Sequence, residues 1–327
     1  MRWIKRRRFL VASGALLAAP LALAQPAGRV FKVSMLTTAG ARGQTPFYVA
    51  LEERFRELGY VEGKNFALDW HSATGRLDKI PEIAAELARN RPDVVIATGS
   101  EIVLRSIRGT VGTTPIVMVA IDFDPVERNF VASLSSPGGN ITGLFLRQLE
   151  SAAKRLELLA EALPDARRIA VLWDKFSRDQ LDFVAGQAKQ RNLTLLPFEM
   201  SGNSYEFEAP LRSAKSQKAQ AVLALTSGAF FPVRQKMFAA AGAQRLPVIA
   251  NSNYADEGAM IAFGANFPQM YRRAVEYADR ILKGAKPAEL PVEQPTKYDL
   301  IVNLKVARAL GLKLPNPILL RADRVIE

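Results

Sequence analysis

From residue 30 onwards the chain alternates short β-branched and aliphatic runs with stretches whose apolar residues recur every three or four positions. The short runs, bounded by turn residues, predict strands, and the longer stretches predict amphipathic helices. Strands are expected over residues 30–36, 65–70, 93–97 and 115–121, with helices over 46–58, 77–89 and 101–108 between them. After the turn-rich Pro137-Gly138-Gly139-Asn140 the rhythm restarts. Helices are expected over 148–163, 177–190, 206–215 and 230–241, and strands over 168–173, 193–198, 219–225 and 247–250. A βα series of this kind predicts parallel sheets covered by helices. Two such halves predict an α/β protein of two doubly wound parallel-sheet lobes joined by a hinge, with a cleft between them.

The tail carries single elements: a strand over 259–263, a basic amphipathic helix over 267–282, a strand over 298–303 and a helix over 304–310. Single elements must complete one lobe or the other, so three crossings are expected, near Gly143, Gly264 and Pro291. The expected division is residues 25–144 plus 264–290 for lobe I and 145–263 plus 291–327 for lobe II.

The first 24 residues do not belong to this pattern. Lys5, Arg6, Arg7 and Arg8 precede an uncharged stretch that closes with Ala22-Leu23-Ala24, the layout of a secretory signal peptide cleaved after Ala24. Arg6-Arg7 before Phe9-Leu10 also fits a twin-arginine signal, whose cargo crosses folded. The apolar run falls short of the roughly 20 residues a membrane span needs. A soluble periplasmic protein is therefore expected. No cysteine follows the cleavage point, so no lipid anchor is expected there.

Composition narrows the function. The chain has no cysteine, so an exported protein of this sequence relies on its cores, which 49% hydrophobic content can fill. Arg2 and the four basic residues after it leave with the signal, and no acid does, so the formal charge of +12 falls to +7. The remaining Lys and Arg are scattered over helices, without the aromatic-interleaved basic stripe of a nucleic-acid binder, so no nucleic-acid partner is expected. There is no G-x-G-x-x-G after the first strand, no phosphate-binding loop and no G-x-S-x-G elbow. With His71 as the single histidine, neither a histidine metal site nor a Ser-His pair is supported, and no cofactor or metal is expected.

Small polar residues at strand ends remain. Parallel α/β sheets bind ligands beyond the carboxyl ends of their strands, where helix N-termini present free N–H groups. The candidates are Thr37 and Thr38 after the first strand, Thr98, Gly99 and Ser100 after the third, and Asp122 and Asp124 after the fourth. In the second half they are Trp173, Asp174, Thr226, Ser227, Gly228 and Asn251, with Ser252 beside it. Hydroxyls and amides there suit a carboxylate, and an acid suits an ammonium or hydroxyl. Phe47, Phe123, Trp173, Phe230 and Tyr254 are candidate covers for an apolar ligand body. Asp124-Pro125 also fits a helix cap followed by proline, Thr98–Ser100 also fits a cap, and Trp173 also fits a core position.

Several stretches resemble the extracytoplasmic solute-binding proteins of ABC transporters, in the group that includes tryptophan- and tyrosine-binding members. They are 115–126 (P-I-V-M-V-A-I-D-F-D-P-V), 136–144 (S-P-G-G-N-I-T-G-L), 154–159 running into 168–173, 278–284, 290–297 (L-P-V-E-Q-P-T-K) and Asn303-Leu304-Lys305, ending at Leu320-Arg321-Ala322-Asp323. The resemblance implies a type I periplasmic-binding fold, ligand capture by closure of the cleft, and delivery to an ABC permease in the inner membrane by a monomeric protein without catalytic activity. It assigns Thr98–Ser100 and the turn 122–125 to the first lobe's share of the ligand, and Trp173, Asp174, Thr226 and Ser227 to the second's. One departure matters: amino-acid-binding members carry a Thr-Asp-Asn type loop where this chain has Thr226-Ser227-Gly228, so the acid that would receive an α-ammonium there is missing. A small organic carboxylate, aromatic or amino-acid-like, is the expected ligand. The rival readings are a periplasmic sensor or scaffold of the same fold, and a hydrolase using Asp122 and Asp124 as paired acids.

Overall fold

The structure, a computed structural model, describes residues 29–327 apart from 39, 44, 75, 147, 203 and 204. The expected export signal lies outside the described residues.

The first sheet contains β1 (Phe31–Thr37), β2 (Phe66–Ser72), β3 (Val94–Gly99), β4 (Ile116–Ala120) and β5 (Ile141–Phe145). All pairs are parallel, in the order β2-β1-β3-β4-β5. Helices α1 (Pro46–Glu57), α2 (Ile80–Arg89) and α3 (Glu101–Thr110) alternate with its first four strands. The chain then enters the second lobe through α4 (Gln148–Ala162) and runs β6 (Arg168–Trp173), α5 (Arg178–Gln190), β7 (Thr194–Glu199), α6 (Glu208–Ser216), β8 (Ala221–Ala224), α7 (Arg234–Ala243), β9 (Val248–Ala250) and β10 (Ile261–Ala265). It returns to the first lobe as α8 (Phe267–Leu282), then goes back as β11 (Tyr298–Asn303), α9 (Leu304–Leu310), α10 (Asn316–Arg321) and β12 (Arg324–Ile326). The second sheet is ordered β12-β11-β10-β9-β8-β6-β7. Two α/β lobes, as the sequence pattern implies, are therefore what forms.

α8 shows why one helix can complete a distant lobe. Phe267, Met270, Tyr271, Ala274, Val275, Ala278 and Ile281 form a buried stripe at helical spacing, which packs on α1 and over β3, β4 and β5. Asn266 starts the helix by accepting the Gln269 N–H on its side chain, 2.8 Å, and proline follows in the first turn. The docking is tied by Tyr60, whose hydroxyl donates to the buried Asp279 at 2.9 Å. A single apolar cluster runs from this α1–α8 face through Phe47 and Phe231 into the α6–α7 face of the second sheet, so the lobes share apolar contact.

Three features differ from the sequence expectation. β5 lies where the pattern gives only a turn-rich stretch, because Gly143 at its centre weakens the strand signal. β10 and β11 pair antiparallel, a direction that strand patterning does not encode when the connection passes through the other lobe. α10 and the three-residue β12 are too short to show a period.

Candidate functional site

Because each sheet is mostly parallel, the loops after β1, β3 and β4 emerge on one side of the first lobe and face the loops after β6, β8 and β9 of the second. The meeting point is Gly228. Its N–H donates to Asp122 Oδ2 at 3.2 Å, and its carbonyl accepts from Thr38 Oγ1 at 3.0 Å, so one residue of the second lobe is held by two of the first. A Cβ on Gly228 would lie 2.9 Å from both the N and the Oγ of Ser100, which is why the backbone can approach only without a side chain. Ser100 Oγ in turn donates to Asp122 Oδ2 at 2.7 Å.

On the second lobe, Asp174 organises the facing surface. Its Oδ2 accepts from Ser227 Oγ at 2.6 Å and from Tyr205 at 3.0 Å, while Oδ1 takes the N–H groups of Phe176 and Ser177. The loop after β8 is pinned from behind by Gln180 on α5, which donates to the Thr226 carbonyl at 2.7 Å and accepts its N–H at 3.0 Å. Gln148, opening α4, does the same for the first lobe by donating to the Ile121 carbonyl at 2.9 Å. Asn251 donates to Thr226 Oγ1 at 3.2 Å, and Ser252 bonds the Ala265 carbonyl. Gln148, Gln180 and Tyr205 carry no motif that marks them in the sequence, whereas Gly228 closes the candidate loop Thr226-Ser227-Gly228.

Two buried carboxylates thus face each other across the closed cleft with no ion pair to Lys or Arg among the described residues. Burial pushes the Asp122 carboxyl up to about 7, Asp174 adds repulsion, and the bonds from Ser100 and Gly228 offset part of this. Burial also raises Asp174, against the pull of its hydroxyl partners. Asp122 Oδ1 is buried without a partner.

Thr37, Thr38, Gly99, Thr226, Ser227 and Gly228 line a small inner cavity of about 20 Å³, walled also by Phe47, Tyr48, Phe231, Tyr254, Phe267 and Tyr271. That is room for about one water. It shares Phe47, Phe231, Asn253 and Phe267 with an outer cavity of about 460 Å³, within the range of small-ligand sites. The outer rim carries ion pairs, Asp256 with Arg324 at 2.8 Å and Glu257 with Arg234 at 2.7 Å. Ser100, Asp122, Asp174 and Asn251 stand directly behind the inner lining through the hydrogen bonds above, and Thr98 is buried at the end of β3.

Other candidates lie elsewhere. Asp124 accepts the N–H groups of Val126 and Glu127 at 2.8 and 3.2 Å, so it caps its own turn and does not converge with Asp122. Trp173 is buried in the cluster between the second sheet and α4 and α5, with Arg178 over its ring, and lines neither cavity. Phe123 packs on Phe130, and Phe230 on Tyr205 and Phe207. Phe47 and Tyr254 do face the cavities, whereas Phe231, Phe267 and Tyr271 escaped the strand-end argument because they come from helical segments.

Two α/β lobes whose loops close on one aromatic-walled cleft define a two-lobed binding protein. The chain belongs to the ABC transporter substrate binding protein family, whose profile matches residues 43–326. It is similar to the tyrosine-binding protein of Clostridioides difficile, 26% identical over 271 residues, which are 82% of this chain and 76% of that one. Among solved structures it is similar to a conserved domain protein of Vibrio cholerae, 25% identical with a TM-score of 0.80, covering 91% of this chain and 100% of that one. It also shares its fold with the ABC domain from Streptococcus pneumonia in complex with L-Trp, 22% identical with a TM-score of 0.78, covering 90% and 100%. The fold is the type I periplasmic-binding architecture.

Proposed function

We propose that this protein is the periplasmic solute-binding component of an ABC importer, which closes its two lobes on a small aromatic, amino-acid-like solute and delivers it to an inner-membrane permease. The observation that carries this reading is the double hold of Gly228 by Asp122 and Thr38, beside aromatic walls drawn from both lobes. Because these contacts bring polar groups and aromatic walls of both lobes to one point, a ligand lying there touches both lobes only in the closed state, which is the differential affinity by which it favours closure. The names of the relatives, one tyrosine-binding and one holding L-Trp, support an aromatic amino-acid-like ligand. The basic and apolar leader at residues 1–24 supports export, and residues 25–144 with 264–290 and 145–263 with 291–327 are the bodies that hinge.

The test is a thermal-shift screen of ligand-stripped residues 25–327 against amino acids, aromatic amines, aromatic and aliphatic carboxylates, sugars and polyamines. A solute that binds only the native state adds about 2.7 kcal/mol at a hundredfold excess over its Kd. A shift confined to aromatic, amino-acid-like compounds is the expected result. No shift with any class, for protein shown by mass spectrometry to be empty, overturns the reading.

A further inference from the structure

Each hydroxyl has one hydrogen to give and two lone pairs to offer, so its partners decide what it can still do for a ligand. At the inner end of the cleft three hydroxyl hydrogens are spent, while Thr226 Oγ1, which accepts from Asn251, stands on the far side of the lining. Ser100 gives its hydrogen to Asp122, Thr38 to the Gly228 carbonyl, and Ser227 to Asp174. Tyr205 also donates to Asp174, and the Gly228 N–H is taken by Asp122. What these side chains keep is acceptor capacity, alongside two carboxylates without a cation. Asp122 is 5% exposed, and its Oδ1 has no partner.

The N-terminus of α3 would by itself attract an anion. That position is already taken: Asp122 lies against it, bonded to Ser100 and drawn by the Glu101 N–H. A ligand carboxylate entering here would place a third negative charge in a buried site where the hydroxyl hydrogens of Ser100, Thr38 and Ser227 are turned away. An ammonium brings three N–H donors and the opposite charge.

We propose that the inner end of the cleft is an ammonium site. The primary amine of the ligand takes the place of the Gly228 N–H at Asp122, with Ser227, oriented by Asp174, accepting from the second lobe and Thr38 and Ser100 offering lone pairs from the first. The aromatic body extends towards Phe47, Phe231 and Phe267. The chain lacks an acid in the loop after β8, and Asp122 and Asp174 provide the negative charge from the loops after β4 and β6. The ligand class is therefore an aromatic primary amine, for which a carboxylate at this end is dispensable, in place of the carboxylate expected from hydroxyl-rich loops. This inference rests on the solute-binding reading above.

The test is titration calorimetry at pH 8 with three matched sets: tryptamine and tyramine, indole-3-acetate and 4-hydroxyphenylacetate, and L-Trp and L-Tyr. The expected result is that the compounds bearing an amine bind at least 100-fold more tightly than the amine-free acids, and that Asp122→Asn weakens amine binding at least tenfold. The titratable groups acting on Asp122 are Asp174 and Tyr205 of the facing lobe, while Glu101 is engaged with Arg105 and Arg128. An aliphatic amine stays charged between pH 5 and 8, so amine affinity is expected to fall at least tenfold from pH 8 to pH 5 as Asp122 protonates. A carboxylate held by protonated Asp122 would tighten over the same range. Amine-free acids that bind as well as the amines, or any cleft ligand without an amine found in the screen, would overturn the ammonium site and leave solute binding standing. Failure of every compound in both experiments would overturn solute binding itself.

Discussion

Gly143→Ala is expected to leave little folded protein at growth temperature, whereas Gly139→Ala four residues earlier leaves stability unchanged. Gly143 sits in β5 at a φ of +128°, which side-chain-bearing residues rarely adopt, directly opposite Met118 of β4. A Cβ there would lie 2.2 Å from the Met118 carbonyl oxygen and 2.7 Å from its nitrogen, both backbone atoms that cannot rotate away. The same residue's carbonyl accepts the Glu293 N–H at 2.9 Å, and Phe145 donates to Glu293 at 3.0 Å, so the returning hinge segment is clamped along this strand. Relief requires breaking the β4–β5 ladder and that clamp together. A loss above about 4 kcal/mol follows, against a total of about 5–15 kcal/mol. That corresponds to a melting temperature lower by roughly 10 °C or more. Gly139 has open space around it and no positive φ, so alanine there is tolerated. Thermal melts of the two variants decide the point; a wild-type melt for Gly143→Ala would contradict the account of β5.

Asp122→Asn is expected to stabilise the ligand-free protein at pH 8 and to change nothing at pH 4. The carboxyl is pushed from 3.8 up to about 7 by burial, so between these values the folded state holds a proton that the unfolded state has lost. Stability contributed by this group is therefore full below about pH 4 and falls as pH rises to about 7. Each unit is about 1.4 kcal/mol, which bounds the gain from removing the charge at about 4 kcal/mol. Asparagine keeps an oxygen for Ser100 and Gly228 and places its amide at the unpartnered Oδ1. The melt at pH 8 is expected to rise by roughly 5–10 °C. Equal gains at both pH values, or none at pH 8, would contradict the burial of an ionised Asp122. A carboxylate that costs the empty protein stability is what a site retained for binding looks like.

How much of this was legible in the sequence depended on the kind of signal. The bounds of α8, β11 and α9 follow from strong periodicity and from Asn266 and Asn303, which accept the third N–H of the helices they open. Thr37, Thr38, Gly99, Ser100, Asp122, Asp174, Thr226 and Ser227 gather around one point, as their strand-end positions imply, because parallel strands deliver their carboxyl ends to one side. Trp173 fitted both a site and a core position, and the core position is the one it takes: Ile169, Val171 and Trp173 alternate onto the same buried face, away from the cleft. The Asp-Pro-Val cap at Asp124 was readable as local chemistry. The walls given by Phe267 and Tyr271 were not, since α8 reaches the cleft only by crossing between lobes, and Phe231 was not because it sits on the short helical turn Phe231–Val233 beyond the strand end.

The central claim is that the lobes close on a solute, and small-angle X-ray scattering of ligand-stripped protein tests it most directly, recorded before and after addition of the compound that shifts the melt. The expected result is a contraction of the radius of gyration on binding, lost in Gly228→Val, whose side chain would press on Ser100 and wedge the lobes apart. Saturating binding with no change in the scattering profile of the wild-type protein would contradict the account.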